Sequence, residues 1–486
     1  MPTPPRRLRT RVLICLLPLL VALSFGCQSK GPELGEVERL NGEAGNVGRY
    51  MVAYYAALHA LPDGGAVATW MREEPPSRPV VFRQAAKVGA PFSPEAYLTP
   101  QDMLGTITIG LIMLPGAAEG ELYAAWQARK PQTGDKFVVF RSSRDHGVTW
   151  SEPRLLNTEP TAFAPAIATD RAGGVYVAWP DERGYTTGIF VNRSLDRGAT
   201  WMPQDVRIDA GEGGGRMANA VSAASDGENG VVVVWEELAS IKGRVIMAAV
   251  SKDRGASWSA PTRVDEGKGR GAPMAPRVAF AGGREVVMWT AAVGGINSFA
   301  EVWADSSPDG GLTWGDDVLV HEQPGGTAPT MQLFSDGSRA SAVFEATRRG
   351  GMEAIYYVSM QADGTWVPGK EALTPLTPAD GKASAPRLTA GQDGTLYLVY
   401  ADGPRAVRLM RSKDGGAHWD APLLVVERPE AAPPVTVRFP QVAVGGGIAY
   451  VMWEEWGDAK SVIKSLGDAQ TKRPPLDLFL RRITLH

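Results

Sequence analysis

Ser194-Leu195-Asp196-Arg197-Gly198-Ala199-Thr200-Trp201 is one of five copies of a single pattern, S-x-D-x-G-x-[TSH]-W. The others occupy residues 143–150, 251–258, 307–314 and 412–419. Five copies of an eight-residue pattern at near-even intervals mark an internal repeat, and repeats of this period point to solenoids or propellers. Each copy lies within a longer unit. Upstream of it runs a short apolar segment closing on an aromatic residue, and these aromatics continue where the pattern itself is lost. They are Trp70, Trp126, Trp179, Trp235, Trp289, Phe344, Tyr400 and Trp453, spaced 56, 53, 56, 54, 55, 56 and 53 residues apart.

Within a unit the order of signals is constant. A first strand often opens near Pro (Pro165, Pro276, Pro329, Pro386, Pro440, with Asn219 in register), and a Gly-rich turn such as 170–174 follows. Then come the aromatic-ended strand, a third strand such as 187–194, the eight-residue pattern and a fourth strand. Four short β runs per unit, each unit too small to bury both of its faces, define a β-propeller blade. The expectation is an all-β propeller of four-stranded antiparallel blades, eight in number, or seven if a terminal unit is not a full blade. Residues 83–92 and 359–366 are degenerate copies of the pattern, and in the eighth unit Ser465-Leu466-Gly467-Asp468 sits where a third strand would end. Two segments compete to close the ring: 479–485 as the last outer strand, or 36–40 from the other end of the chain.

Physically the pattern is a turn. Gly198 and its equivalents supply positive φ, the Asp accepts hydrogen bonds from the backbone of its own turn, the Ser adds another, and the Trp packs on the blade. It is the Asp-box, and the chain resembles the sialidase-like, BNR-repeat propellers. In that family the boxes lie on the face away from the active site, which implies structural roles for Asp145, Asp196, Asp253, Asp309 and Asp414.

The 486-residue chain carries a net charge of −3, which gives no basic field for nucleic acid. Arg6, Arg7, Arg9 and Arg11 precede an apolar run over 12–25 and then Gly26-Cys27. This reads as a signal peptide over 1–26, and its end, Leu23-Ser24-Phe25-Gly26-Cys27, resembles a bacterial lipoprotein lipobox, which implies lipidation at Cys27. A lipidated Cys and tether over 27–48 follow, and the propeller spans 49–486. Gln28 implies the outer membrane if the host is Gram-negative. Removing a signal that holds four Arg and no acid leaves 46 basic and 53 acidic side chains, a charge of −7. Cys15 leaves with the signal, so no disulfide is available to the mature chain.

A ligand site is expected at the mouth opposite the boxes. Carboxylates recur just after the second-strand aromatic, among them Glu73, Glu74, Asp181, Glu182, Glu236, Glu237, Glu345, Asp402, Glu454 and Glu455. Arg216, Arg277, Arg387 and Arg438 flank the first strands, with Tyr54 and Tyr55 in the first unit. The mouth candidates for ligand binding are therefore Arg216, Arg277, Arg387, Arg438, Tyr55, Asp181, Glu236, Glu345, Asp402 and Glu454. Strand alternation lets only one of each adjacent acidic pair face the mouth. The resemblance implies the sialidase chemistry of an Arg cluster gripping a substrate carboxylate and a Tyr nucleophile. However, the family's F/Y-R-I-P motif is absent: Phe82-Arg83-Gln84-Ala85 lacks Ile-Pro, and Arg438-Phe439-Pro440 falls in the last unit. No catalytic residue is carried over. His59, His146, His321, His418 and His486 show no metal-ligand spacing, and no cofactor motif occurs. The reading is a non-catalytic envelope lipoprotein that binds a glycan or partner protein, set against a sialidase-like exo-glycosidase.

Overall fold

The computed structural model describes residues 31–41, 56–72, 77–103, 105–183, 186–209, 218–240, 243–268, 271–292, 300–322, 331–347, 352–369, 373–378, 381–430, 435–457 and 476–485. Eight separate four-stranded antiparallel sheets account for the strands among them. Seven are built from consecutive strands: blade 1 within 57–97, blade 2 within 107–155, blade 3 within 166–207, blade 4 within 218–263, blade 5 within 272–322, blade 6 within 331–367 and blade 7 within 383–427. Each innermost strand packs on the innermost strand of the next blade, including Val435–Gly445 of blade 8 on Ala57–Ala60 of blade 1, so the ring is closed.

Blade 8 is composite. Its first three strands are Val435–Gly445, Ile448–Gly457 and Leu476–Thr484, and its outer strand is Glu33–Arg39. The pairing runs from Glu33 opposite Thr484 to Arg39 opposite Phe479, and Arg39 adds an ion pair of 2.6 Å to Asp477. Two expectations are corrected by this. Residues 33–39, assigned to a tether, are part of the propeller, because the last sheet is completed only by a fourth strand from the beginning of the chain. Residues 476–484 form the third strand and not the outer one, so the Ser465 segment precedes that strand instead of ending it. Ser465 itself lies outside the described residues.

The core is a set of layers between blades. Each second-strand aromatic is buried against the blade before it: Trp126 among Val67, Val80 and Phe82, Trp179 among Tyr123, Val138 and Phe140, and Trp70 among Tyr450, Met452 and Leu478. Burying one such ring contributes roughly 2–3 kcal/mol, and the layer recurs around the ring. This is why the aromatics keep their spacing even where the turn pattern decays.

The five Asp-boxes share one hydrogen-bond plan. In the box at 194–201, Asp196 Oδ1 accepts from Ser194 Oγ at 2.7 Å and from Thr200 N–H at 2.8 Å, while Thr200 Oγ1 donates to Asp196 Oδ2 at 2.6 Å. Gly198 N–H donates to Ser194 Oγ at 2.8 Å. The Asp253 box repeats this, and the Ser257 hydroxyl and then the Ser257 N–H hold the Asp253 carboxyl down to about 2. Asp145, Asp309 and Asp414 sit in the same plan. The turn needs two left-handed residues, not one: the residue before the Gly is also at positive φ in His146, Arg197 and Arg254 (φ 64°, 65° and 58°).

The box Trp reaches past its own blade to the previous one. Trp150 meets Phe82, Trp201 meets Phe140 at 4.7 Å and Trp419 meets Tyr357 at 5.3 Å between ring centroids. The fourth box residue does the same by charge: Arg197 Nε lies 3.0 Å from Glu121, Arg254 Nε 2.8 Å from Asp170 and His146 Nδ1 3.3 Å from Asp63, each acid on the preceding blade. An Asp-box is thus a clamp between blades as well as a turn. A Cβ at Gly198, which is at φ 83°, would come within 2.4 Å of the Phe140 ring. Gly198→Ala should therefore lower unfolding stability by about 1–3 kcal/mol in urea titrations. Leu195→Ala, at an exposed position of the same box, should change it by less than about 0.5 kcal/mol. Equal effects would contradict the clamp.

Candidate functional site

Antiparallel order puts the Asp-boxes and the first hairpins on one face, and the second-to-third loops and blade connections on the other. The mouth candidates lie at the ends of the second strands and along the first strands, toward that other face. Arg216, Tyr54, Tyr55, Glu73 and Glu74 lie outside the described residues.

In blades 5, 7 and 8 the first strands begin before the prolines, whereas in blades 3 and 6 they begin just after Pro165 and Pro329. In blades 5, 7 and 8 the residue ahead of Pro276, Pro386 and Pro440 is a bulge at positive φ: Ala275 at 51°, Ala385 at 52° and Phe439 at 48°. The ladder shifts register there. Pro follows because it has no N–H to lose where the ladder is interrupted. The bulge leaves its own amide unpaired in the ladder, and the carboxylates supply its acceptor. Glu236 Oε2 of blade 4 accepts from Ala275 N–H of blade 5 at 3.3 Å, and Glu345 Oε2 of blade 6 accepts from Ala385 N–H of blade 7 at 2.9 Å. The acidic set and the proline set that appear separate in the sequence are two halves of one blade-to-blade joint.

In blades 3, 4 and 8 another acid, Asp181, Glu237 or Glu455, serves a different donor. Two residues past a buried Trp, on the same strand face, it accepts the indole N–H: Trp179 to Asp181 at 3.1 Å, Trp235 to Glu237 at 3.3 Å and Trp453 to Glu455 at 2.8 Å. In blades 1 and 2 the equivalent positions are Arg72 and Ala128, and there Trp70 Nε1 and Trp126 Nε1 have no acceptor among the described residues. Both faces of the second strand therefore point into neighbouring blades. In blades 4 and 8 this buries both acids of the pair, whereas in blade 3 Glu182 is exposed and pairs with Lys136 at 2.7 Å.

Asp181, fully buried, also accepts from Thr161 Oγ1 and pairs with Arg183 Nη2 at 2.7 Å. Arg183 in turn holds Asp205 at 2.7 Å and lies 3.9 Å over the Phe190 ring. Burial works to raise the Asp181 carboxyl, but the Arg183 and Thr161 hydrogen bonds outweigh it and hold it below the usual range. Burial raises Glu236 despite its ion pair with Arg244, and it raises Glu345 as well. Asp402 pairs with Arg408. Arg277 and Arg387 occupy equivalent positions on blades 5 and 7, two residues past the bulge, and each donates to the carbonyl of the proline before it at 3.0 Å. Arg183, Asp205, Arg244 and Arg408 carry no repeat signal, which is why the sequence does not single them out.

Blade 8 differs. Arg438 is exposed and lies 4.9 Å over the Trp456 ring. Trp456 Nε1 donates to Glu454 Oε2 at 3.2 Å, while Glu454 Oε1 has no partner among the described residues, on a residue only 1% exposed. Desolvation pushes the Glu454 carboxyl up to about 8, against the Trp456 hydrogen bond and the Arg438 charge. Arg438, Glu454 and Trp456 share one face of the strand pair. The exposed guanidinium stacked on the half-buried indole can receive a polar ring, with the Glu454 carboxyl buried beneath and fixing the indole. A cavity of about 370 Å³ lies elsewhere, at the outer rim, among Pro32, Leu409, Arg411, Pro422 and Leu485.

Residues 174–452 match the BNR repeat-like domain family, and the chain belongs to that family. Solved structures similar to it include a protein of unknown function from Dyadobacter fermentans DSM 18053, 13% identical over 79% of this chain and 96% of that one, with a TM-score of 0.42. Others are an α-L-arabinanase from Penicillium chrysogenum (16% identity, 67% and 99% covered, TM-score 0.41) and an endosialidase from phage phi92 (10% identity, 93% and 69% covered, TM-score 0.42). Likeness at this level carries no inference about activity.

Two substitutions test these assignments. Glu345→Ala removes the acceptor of the Ala385 amide and should cost about 1–3 kcal/mol in denaturant unfolding. For Glu454 the folded pKa lies above its unfolded value of 4.5. Its contribution to stability is therefore full below about pH 4.5 and is lost as pH rises through about 8. Glu454→Gln should flatten that slope and melt above the wild type at pH 8. A wild-type slope that survives the substitution would contradict the buried carboxyl.

Proposed function

We propose that this chain is an exported, lipid-anchored envelope protein whose propeller mouth binds a glycan or a partner protein without turning it over. The observation that carries the reading is the employment of the mouth carboxylates. Asp181, Glu236, Glu345, Asp402 and Glu454 each hold a tryptophan, arginine or backbone donor of the protein itself. Carboxylates engaged in this way are poorly suited to act as the acid and the base of glycoside cleavage. The ligand-facing element is the exposed Arg438 stacked on the half-buried Trp456, because a guanidinium on an indole offers a flat face with donors at its edge.

The anchor supports the same arrangement. A lipid on Cys27 would sit six residues before Glu33, a reach of about 20 Å when extended. The Glu33 end of its strand lies beside Thr484, and Leu485 N–H donates to Gly447 O in a first hairpin, so the chain enters blade 8 from the Asp-box face. The box face would then look toward the membrane and the mouth away from it, open to ligands.

One observation favours the alternative of a sialidase-like exo-glycosidase: a buried carboxyl that stays protonated at neutral pH, Glu454, is suited to a general acid. Glycan-array binding by the purified chain, with Arg438→Ala and Trp456→Ala beside it, separates the readings. Binding that drops at least tenfold in both variants, with no release from fluorogenic sialosides or neutral glycosides, supports the binding protein. Turnover abolished by Glu454→Gln would establish the enzyme instead.

A further inference from the structure

On the Asp-box face, Asp63, Glu119 and His146 each offer one ligand atom, and the three atoms lie within 4.8 Å of one another. They come from three separate turns: the first hairpin of blade 1, the first hairpin of blade 2 and the Asp-box of blade 2. That separation hides the set from any reading of spacing along the chain. The imidazole is held in place. The His146 backbone N–H donates to Gly120 O at 3.0 Å, and the ring lies so close to Gly120 that a Cβ there would come within 2.4 Å of it. Asp63 Oδ1 accepts from Gly65 N–H at 3.1 Å, leaving Oδ2 facing His146 Nδ1 at 3.3 Å.

The repeat supplies an internal comparison. At the same position in blades 3 and 4 the box carries Arg197 and Arg254, each paired with one acid of the preceding blade, Glu121 and Asp170. There a guanidinium brings the positive charge. Between blades 1 and 2 the arginine is replaced by an imidazole, and it faces two carboxylates. The clamp keeps its place but lacks the fixed cation, and the residue standing in for Arg is itself a metal ligand.

We infer that Asp63, Glu119 and His146 form a binding site for a divalent transition cation, with zinc the best match, which ties blade 1 to blade 2 as arginine ties the next two pairs. One imidazole nitrogen and two carboxylate oxygens suit zinc, whose bonds to them run about 2.0–2.2 Å, with water as a fourth ligand. Exposed Asp63 and Glu119 can close the last ångström by side-chain rotation. Calcium, which takes six to eight oxygen ligands, is a poor match for a set this small containing nitrogen.

The test is zinc uptake by the purified full chain, measured by equilibrium dialysis and elemental analysis, with melting curves in zinc, manganese, calcium or chelator. The wild type should take up one zinc per chain and melt several degrees higher with zinc than with chelator, while calcium has no effect. His146→Arg should abolish uptake yet melt no lower than the metal-free wild type, because it recreates the pairing of blades 3 and 4. Asp63→Asn with Glu119→Gln should abolish uptake without touching the histidine. His418→Ala, at the exposed histidine of another box, should leave uptake unchanged. Failure of the wild type to bind zinc, or undiminished uptake by His146→Arg or by the carboxylate variant, would overturn the site.

Discussion

The structure depends on the pairing of Glu33–Arg39 with Leu476–Thr484. Every blade buries its two faces only against its neighbours, so an unclosed ring would leave blades 1 and 8 each with a face in water. Bringing together strands more than 400 residues apart carries a loop-closure cost on the order of 5 kcal/mol. The clasp offsets it with an antiparallel ladder, the Arg39–Asp477 ion pair and a buried Leu40 that packs with Trp70 of blade 1 and Tyr450 of blade 8. Leu40 touches both sides of the seam. Closure and the first inter-blade layer are therefore the same event.

Given a closed ring, the remaining polar features follow from one constraint: buried donors between blades need acceptors. A Trp pointing into the preceding blade brings an indole N–H, and an acid two residues later accepts it. A bulge that turns the first strand leaves an amide unpaired, and an acid from the previous blade accepts that too. On the opposite face the Asp-boxes satisfy their own turns and then reach across with Trp and Arg. Charged residues that look like a funnel when written in a line are largely the polar mortar of the ring.

Much of this was legible in the sequence. The boxes and the eight aromatics predict the architecture, because turn chemistry and core burial act locally and leave a regular spacing. The acids were visible as well, but not what they do. Glu236 serves Ala275 and Glu345 serves Ala385, partners 39 and 40 residues away on another blade, and no local pattern shows such a pairing. The closing strand was half legible. Residues 36–40 stood as one of two options, and 479–485 as the other, and both segments turn out to belong to the same blade. Only the pairing of Glu33 with Thr484 separates third strand from outer strand. Arg438 was visible as a basic residue beside a proline, whereas its stacking on Trp456 depends on the strand pairing of blade 8.

Hydrogen exchange of the backbone amides in 33–39 and 476–484 tests the central claim most directly. If the clasp closes the ring, the amides of 33–39 that bond into the ladder, and those of 476–484, exchange only through unfolding of the whole propeller, with the same free energy as the amides of the blade 3 second strand, Val175–Asp181. Rapid exchange of 33–39 while the remaining blades stay protected would contradict the account.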